Sequence, residues 1–460
     1  MSTTTAAPSS GMAGKLGTWL MIIATVGLAF VICVELINIL FYDPWSDDKF
    51  LFKLSGSLSG VEIGPLTYLM FGSLAVALMM GLPLAFVTGG LGVMFIYLVG
   101  DAMMLNIVPG RIFPLMANPD IAAIPLFIFM ASMLERAGLI EEMFSVVYKW
   151  MGGISGGLAA ATIVASTILA AMVGVIGAAV VTMGIIALPA MLKRHYDHKI
   201  AIGSIMAGGT LGILIPPSIL AILYAVVAQQ SVGELYLGSL LPGLMLSGLY
   251  LTYVLVRSWL NPKLGPPIPV EDRISLKEKL KLLGNLIAPL ALVGLVLGLL
   301  FGGIATPVEA AGIGSFGAII VAMMHKKFSI AGLREASVTT AKASAMVLWI
   351  MFGASVFVGF YILQGGQQFV TDAILGTGMS AYGILLLLMV LLVVLGMFLD
   401  WVGILLLAVP IFIPIVKALE FPGLFGFPPV AGDDVVLWFG VLYLVNMQMS
   451  FLSPPFGYAL

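Results

Sequence analysis

Gly212-Ile213-Leu214-Ile215-Pro216-Pro217-Ser218 interrupts one strongly apolar segment of this chain, and Ser450-Phe451-Leu452-Ser453-Pro454-Pro455-Phe456 interrupts another. Two adjacent prolines inside a helix remove two backbone donors, so the carbonyls just before them lose their helical partners. Carbonyls freed in this way are ready cation ligands. A matched pair of interrupted helices in corresponding halves of a membrane protein points to a substrate and ion site at the bilayer midplane between internal repeats. The pattern predicts a secondary transporter.

Composition leaves little room for other classes. Of 460 residues 61% are hydrophobic and 9% charged, and the mean hydropathy is +1.15. No water-soluble domain carries so little charge on its surface, so the chain reads as an all-α polytopic membrane protein. The net charge of -2 gives no basis for a nucleic-acid partner. Cys33 stands alone, which excludes an internal disulfide. The first 17 residues are polar, and the apolar run after them has no small-residue cleavage site, so it is read as a retained helix.

Apolar spans lie near 18 to 41, 65 to 87, 88 to 105, 120 to 135, 154 to 191, 200 to 229, 234 to 257, 282 to 302, 306 to 324, 335 to 362, 380 to 420 and 434 to 460. Basic clusters at Lys193, Arg194 and Lys199, from Arg257 through Lys281, and at Lys326 and Lys327 are assigned to the cytoplasm by the positive-inside rule. The acidic connectors with Asp43, Asp47, Asp48 and Glu62, and with Asp433 and Asp434, then fall outside, and the N-terminus is cytoplasmic. Counted this way, the stretches 154 to 191 and 380 to 420 each begin and end on one side. Each enters and returns. The first carries Val173-Gly174-Val175-Ile176-Gly177 at its middle and closes with Leu188-Pro189; the second carries Gly396-Met397-Phe398-Leu399-Asp400-Trp401 and closes with Val409-Pro410. A broken helix follows each one. The expected fold is an inverted-topology repeat with two re-entrant hairpins and two broken helices.

Four ordered strings carry a family resemblance. Ala207 through Ile219, Ala305-Thr306-Pro307-Val308-Glu309-Ala310-Ala311, Gly396 through Asp400, and Ser453-Pro454-Pro455-Phe456-Gly457 resemble the large membrane (M) subunit of tripartite ATP-independent periplasmic (TRAP) transporters, from about residue 65 to the end. Gly174-Val175-Ile176-Gly177-Ala178, leading to Ala187 through Arg194, is most similar to the branch named for mannitol, chloroaromatic or 2-oxo acid substrates. The resemblance implies a sodium-driven symporter of an organic acid in a bacterial inner membrane. It implies two partners, a small membrane (Q) subunit and a periplasmic substrate-binding (P) protein, with Na+ as coupling ion and no organic cofactor. It further implies a scaffold and an elevator-type transport domain. On this chain 1–64 is an N-terminal tail, extra helix and external loop, 65–153 and 282–379 are scaffold, 154–233 and 380–460 are the transport domain, and 234–281 is a membrane helix with a cytoplasmic loop.

Carried over from that resemblance, the first sodium site uses Gly212, Ile215 and Pro217 with the hairpin tip at Val173, Gly174 and Val175. The second uses Ser450, Ser453 and Pro455 with the tip at Gly396. Thr210, Asp400 and Gln448 are the candidate substrate and transport residues. One departure matters: many members carry hydroxyl residues in the first tip and an acid ten residues before its closing proline, where this chain has Val173, Val175 and Ala179. Asp400 stands ten residues before Pro410, so only the second hairpin keeps its acid.

Plain readings stand beside these. Paired prolines also kink packed helices, Asp400 also serves as a helix cap, and Glu309 at a helix start reads as structural. His195, His198 and His325 fall in predicted cytoplasmic loops, so no histidine metal site is expected. The functional alternatives are an organic-anion symporter that needs no binding protein, a channel, and an intramembrane aspartyl protease using Glu309 and Asp400, although neither acid sits in a catalytic motif. The span from 18 to 41 precedes the usual start of the family and is expected to pack on the scaffold or the small subunit. By repeat symmetry with 234 to 257, a further membrane helix is expected beyond Leu460.

Overall fold

The computed structural model describes residues 56–100, 102–173, 176–269, 275–423 and 428–454. The expected helix at 18 to 41 lies outside them. Two compact units are distinguished, Met1–Glu62 with Val93–Asn106, and Ile63–Gly92 with Ile107–Leu460. In the first, the Gly56 N–H donates to the Tyr97 carbonyl at 3.1 Å and the Leu58 N–H to the Leu98 carbonyl at 2.7 Å, next to a 3₁₀ turn at Ala102–Asn106.

Among the described residues regular structure is helical, apart from one isolated bridge between Phe421 and Val430. The helices are α1 Ile63–Met79, α2 Leu84–Val99, α3 Ile107–Met116, α4 Ala123–Arg136, α5 Leu139–Met151, α6 Gly157–Val173, α7 Ile176–Lys193, α8 His198–Thr210, α9 Ile219–Ala228, α10 Val232–Leu260, α11 Leu276–Phe301, α12 Pro307–Met324, α13 Ile330–Leu363, α14 Gly366–Leu375, α15 Ala381–Gly396, α16 Trp401–Lys417 and α17 Asp433–Phe451. By length and composition α10, α12, α13 and α17 are each able to cross a membrane. The arms α6, α15 and α16, at 16 or 17 residues, span only about 25 Å, less than the hydrocarbon core.

Those short arms form two hairpins. Both apolar stretches leave and return to one place, and in each a tyrosine closes the base. At the first, the Leu158 N–H donates to the Tyr196 hydroxyl at 3.1 Å, joining the start of α6 to the residue loop after α7. At the second, the Tyr382 hydroxyl donates to the Pro422 carbonyl at 2.6 Å, joining the start of α15 to the chain after α16. The base of the first hairpin is held further by the Gly156 N–H on the Gly265 carbonyl, the Ile268 N–H on the Gly152 carbonyl and the Asp197 N–H on the Leu264 carbonyl. A broken helix then packs back on each hairpin, α8 against α6 and α7, and α17 against α15 and α16.

Elsewhere in this unit α4 packs against α12 and α13. The Ser315 hydroxyl donates to the Leu126 carbonyl at 2.7 Å, and Gly314 leaves room for Met130, whose Sδ would lie 2.6 Å from a β-carbon there. Glu309 is structural: Thr306 and Glu309 close a reciprocal capping box at the start of α12.

Sequence and structure differ at one turn and at three short helices. The first turn after Ile63 falls at Met80–Pro83, between α1 and α2, and not at residue 87; hydropathy runs unbroken through it, and Gly81 with a positive φ of 79° followed by Pro83 makes the turn. The short helices α3, α5 and α14 were not expected. α5 sets Glu141, Glu142 and Lys149 against a buried stripe of Leu139, Ile140, Met143, Phe144 and Val147, so it is amphipathic and escapes a hydropathy window.

Burial pushes the Tyr196 phenol up to about 12, while the hydrogen bond from Leu158 opposes the rise. The folded value lies above the ordinary 10, so the neutral phenol contributes fully below pH 10 and its contribution is lost as pH rises toward 12. Tyr196→Phe leaves the Leu158 N–H buried and unpartnered, and the expected loss is about 1–3 kcal/mol. A lower unfolding temperature in detergent, against the parent chain at neutral pH, checks it.

Candidate functional site

The first break is a buried bend without helical bonding. α8 ends at Thr210, a 3₁₀ turn covers Leu211–Ile213, and α9 begins at Ile219 behind the N-cap Ser218. Every residue from Leu211 to Ser218 is buried, and the Pro216–Pro217 peptide is cis. The Leu214 and Ile215 N–H groups both return to the Leu211 carbonyl. The donors four and five residues after Gly212 belong to Pro216 and Pro217, which have none, so the Gly212 carbonyl has no helical partner. The Ile213 carbonyl is in the same position and is rescued by the Ser218 hydroxyl. The Tyr236 hydroxyl, from fully buried α10 surface, donates to the Ser218 carbonyl at 3.1 Å.

The first hairpin covers this bend. Ala170, near the end of α6, forms a buried cluster with Leu211 and Ile215, against which Ala171, Leu246 and Tyr250 pack. A β-carbon on Gly209 would meet Val180 Cγ2 at 2.2 Å, and one on Gly208 would meet Ser166 at 2.8 Å. These glycines let α8 lie directly on the hairpin. Thr210 is fully buried and spends its hydroxyl on the Ala207 carbonyl at 2.9 Å. Val173 is the last residue of α6; Gly174 and Val175 lie outside the described residues.

The second break is assembled in the same way. α17 ends at Phe451, and the Ser453 hydroxyl donates to the Met449 carbonyl at 2.7 Å. Pro454 and Pro455 stand at the third and fourth positions after Phe451, where the helix stops. Gly396, at the tip of the second hairpin, touches this break: a β-carbon on it would lie 2.2 Å from Ser450 Cβ and 2.4 Å from its Oγ. Ser450 is buried, and its hydroxyl reaches the Leu392 carbonyl at 3.5 Å. Asn446, one turn earlier, donates to the Met389 carbonyl at 2.9 Å. Gly396 and Ser450 therefore meet, Ser453 follows within one turn and bonds back to its own helix, and Pro455 lies outside the described residues.

Asp400 caps α16, its Oδ1 accepting from the Gly403 N–H at 3.0 Å. It also lines a cavity of about 780 Å³ with Leu84, Met346, Trp349, Phe398 and Leu399. Gln448 is different from every other candidate. It is 2% exposed, yet among the described residues neither its amide nitrogen nor its amide oxygen has a hydrogen-bond partner. Leaving such a group unpaired costs about 1–3 kcal/mol, so a buried amide of this kind calls for a partner, which a water or an ion can also supply.

Sequence reasoning missed Ser218 and Tyr236, which shape the first break, and the α1–α2 and α13 walls of the cavity. Tyr236 carried a usable signal, since a tyrosine in an apolar helix needs a partner for its hydroxyl. The cavity walls carried none, being apolar residues among apolar residues.

A sequence profile described as "Tripartite ATP-independent periplasmic transporter, DctM component" matches residues 71–460. The isethionate TRAP transporter permease protein DctMQ of Oleidesulfovibrio alaskensis is 32% identical over 396 residues, covering 86% of this chain and 59% of that protein. The chain thus spans under two thirds of that relative. The C4-dicarboxylate TRAP transporter large permease protein DctM of Rhodobacter capsulatus is 29% identical over 406 residues, covering 85% of this chain and 88% of the other. Among solved structures, the YdaH transporter of Alcanivorax borkumensis matches with a TM-score of 0.50 at 16% identity, over 85% of this chain and 89% of that one, a likeness of fold alone.

Adding one methyl at the second tip tests the contact made there. Gly396→Ala drives carbon into Ser450 and is expected to destabilise by about 1–3 kcal/mol. Ser450→Gly in the same chain removes the obstacle, so the double variant recovers most of the loss. Unfolding temperatures of the two single variants and the double variant decide it; additive losses would show that the residues do not meet.

Proposed function

The chain belongs to the DctM component family of tripartite ATP-independent periplasmic transporters, and from that premise we propose that it is the large permease subunit of a sodium-coupled organic-acid symporter. The observation that carries the ion-coupled reading is the pair of proline-interrupted helices, each met by its own hairpin, the first with a fully buried break whose Gly212 carbonyl has no helical donor. Sodium is a hard cation for which uncharged oxygens suffice, and the C-terminal ends of half-helices offer them with a favourable dipole. Gly212, Ile215 and Pro217 with the tip at 173–175 would form one site. Ser450, Ser453 and Pro455 with Gly396 would form the other. The fit is supported at the second by the Gly396–Ser450 contact.

The substrate would enter beside Asp400, in the cavity between the second tip and the α1–α2 turn. The relatives named above are described for isethionate and for C4-dicarboxylates; their names lend no support to the mannitol, chloroaromatic or 2-oxo acid branch, and the substrate class we propose is the broader one, an organic acid. Two partners belong to the same proposal, a small membrane subunit and a periplasmic protein that captures the acid and hands it over. So does the mechanism: the two hairpins and broken helices move as one body past a scaffold built on α4, α12 and α13, in an inverted repeat with the N-terminus in the cytoplasm.

Uptake of radiolabelled organic acids, 2-oxo acids and dicarboxylates among them, into proteoliposomes holding this chain and its small subunit tests the reading. Accumulation is expected only with both the binding protein and an inward sodium gradient. Uptake that needs neither overturns it in favour of a self-sufficient transporter or a channel.

Asp400→Asn separates charge from capping, because asparagine caps helices about as well as aspartate. It is expected to leave the unfolding temperature within a few degrees of the parent and to lower uptake about tenfold or more, as an intramembrane acid normally has a functional role. Uptake unchanged by this substitution assigns Asp400 to the cap alone.

A further inference from the structure

We propose that the cavity beside Asp400 takes an acid with a single carboxylate and an apolar body, the body lying against Phe86, Trp349 and Phe398 and the carboxylate meeting the ammonium of Lys342. The proposal rests on the organic-acid reading above and narrows it.

An anion meets a difficulty in this cavity. Its walls include Leu78, Leu82, Phe86, Met346, Trp349 and Phe398, and the one charged side chain among its lining residues is the Asp400 carboxylate. An acid brought in there faces a like charge in an apolar surround and needs a cation within reach. The elements that form the walls offer few. α1, α2 and α15 contain no lysine or arginine, and α16 has only Lys417, at its last position and paired with Asp433 at 2.8 Å. α13 has Arg334 and Lys342.

Lys342 belongs to the stripe of α13 that forms the cavity wall. Residues 342, 346, 349 and 353 stand four, three and four apart, so they share one helix face. Gly353 ends the stripe against α2, since a β-carbon there would lie 2.6 Å from the Ala85 carbonyl oxygen. The Trp349 ring, one turn earlier, lies 6.0 Å from the Phe86 ring, and Met346 follows in the wall. Lys342 is the next turn, about 6 Å beyond Met346. Its side chain is exposed, and it makes no hydrogen bond or ion pair among the described residues.

The same two helices show why that turn is open. α2 and α13 run in parallel: β-carbons on Gly89 and Gly92 would lie 3.5 Å from Gly353 Cα and 3.0 Å from the Phe357 nitrogen. At that offset Leu84, where α2 begins, stands level with Leu348. From there back to Lys342 no part of α2 lies alongside, because the chain has turned away at Met80–Pro83. The cavity is the space so left, and Lys342 stands at its mouth. The flexible four-carbon stem of a lysine can carry its ammonium back over the one turn to Met346. A basic residue in a membrane-crossing helix characteristically faces such a cavity.

The body of the acid follows from the walls. Phe86, Trp349 and Phe398 are 65%, 55% and 51% exposed, so each ring has half or more of its surface open to a ligand. Apart from Asp400 and the Trp349 indole N–H, no lining side chain can pair with a hydroxyl or a second carboxylate. A dicarboxylate or a polyhydroxylated acid would leave those groups unpaired.

Binding is read on the purified chain with its small subunit in lipid nanodiscs, without the binding protein, as the rise in unfolding temperature in saturating NaCl. 3-Phenylpropionate is the probe with one carboxylate and an apolar body, and succinate the probe with two carboxylates. The parent is expected to show a saturable rise with phenylpropionate and to need at least tenfold more succinate for half the rise. Lys342→Gln is expected to raise the phenylpropionate half-saturation about tenfold, while Lys342→Arg, which keeps the charge, stays within about threefold of the parent. Trp349→Ala is expected to weaken phenylpropionate and leave succinate unchanged. Succinate acting as tightly as phenylpropionate, a Lys342→Gln half-saturation within twofold of the parent, equal weakening in Lys342→Arg and Lys342→Gln, or a parent that responds to neither acid overturns the proposal. The symporter reading is judged apart from it: uptake that still requires sodium and the binding protein leaves that reading standing in each of these cases.

Discussion

Everything in the core of this chain follows from one constraint: a peptide carbonyl in an apolar interior must find a partner, and proline offers none. Two adjacent prolines after α8 leave the carbonyls of Gly212 and Ile213 without helical donors. An interior made of lipid-like side chains cannot accept them bare. The chain answers by burying this break under a hairpin, by turning the Ser218 hydroxyl onto Ile213, and by bringing the Tyr236 hydroxyl across to Ser218. What remains is the Gly212 carbonyl, which under the proposed function is a cation ligand.

Glycine makes that cover possible. Close approach of a helix to a hairpin is limited by the β-carbon, and the contacts at Gly209 with Val180 and at Gly396 with Ser450 leave no room for one. Each hairpin base carries a tyrosine hydrogen bond, from the Leu158 N–H to the Tyr196 hydroxyl and from the Tyr382 hydroxyl to the Pro422 carbonyl. Base and tip are thus fixed independently. A hairpin arm of about 25 Å that is pinned at its base delivers its tip to one depth only, which is the depth of the break.

The sequence was legible where covalent structure dictates the answer. Adjacent prolines cannot continue a helix, so the ends of α8 and α17 could be named in advance. Counting basic loops picked out the two stretches that fold as helical hairpins. Packing was not legible. The walls of the cavity beside Asp400, from Leu84 to Trp349, are apolar residues whose proximity depends on tertiary placement. The turn at Met80–Pro83 hides inside continuous hydropathy, and α5 and α14 are short amphipathic pieces that carry too many polar residues for a membrane window. Gln448 could be picked out as a polar residue near a break, but its lack of a partner among the described residues is a property of the fold alone.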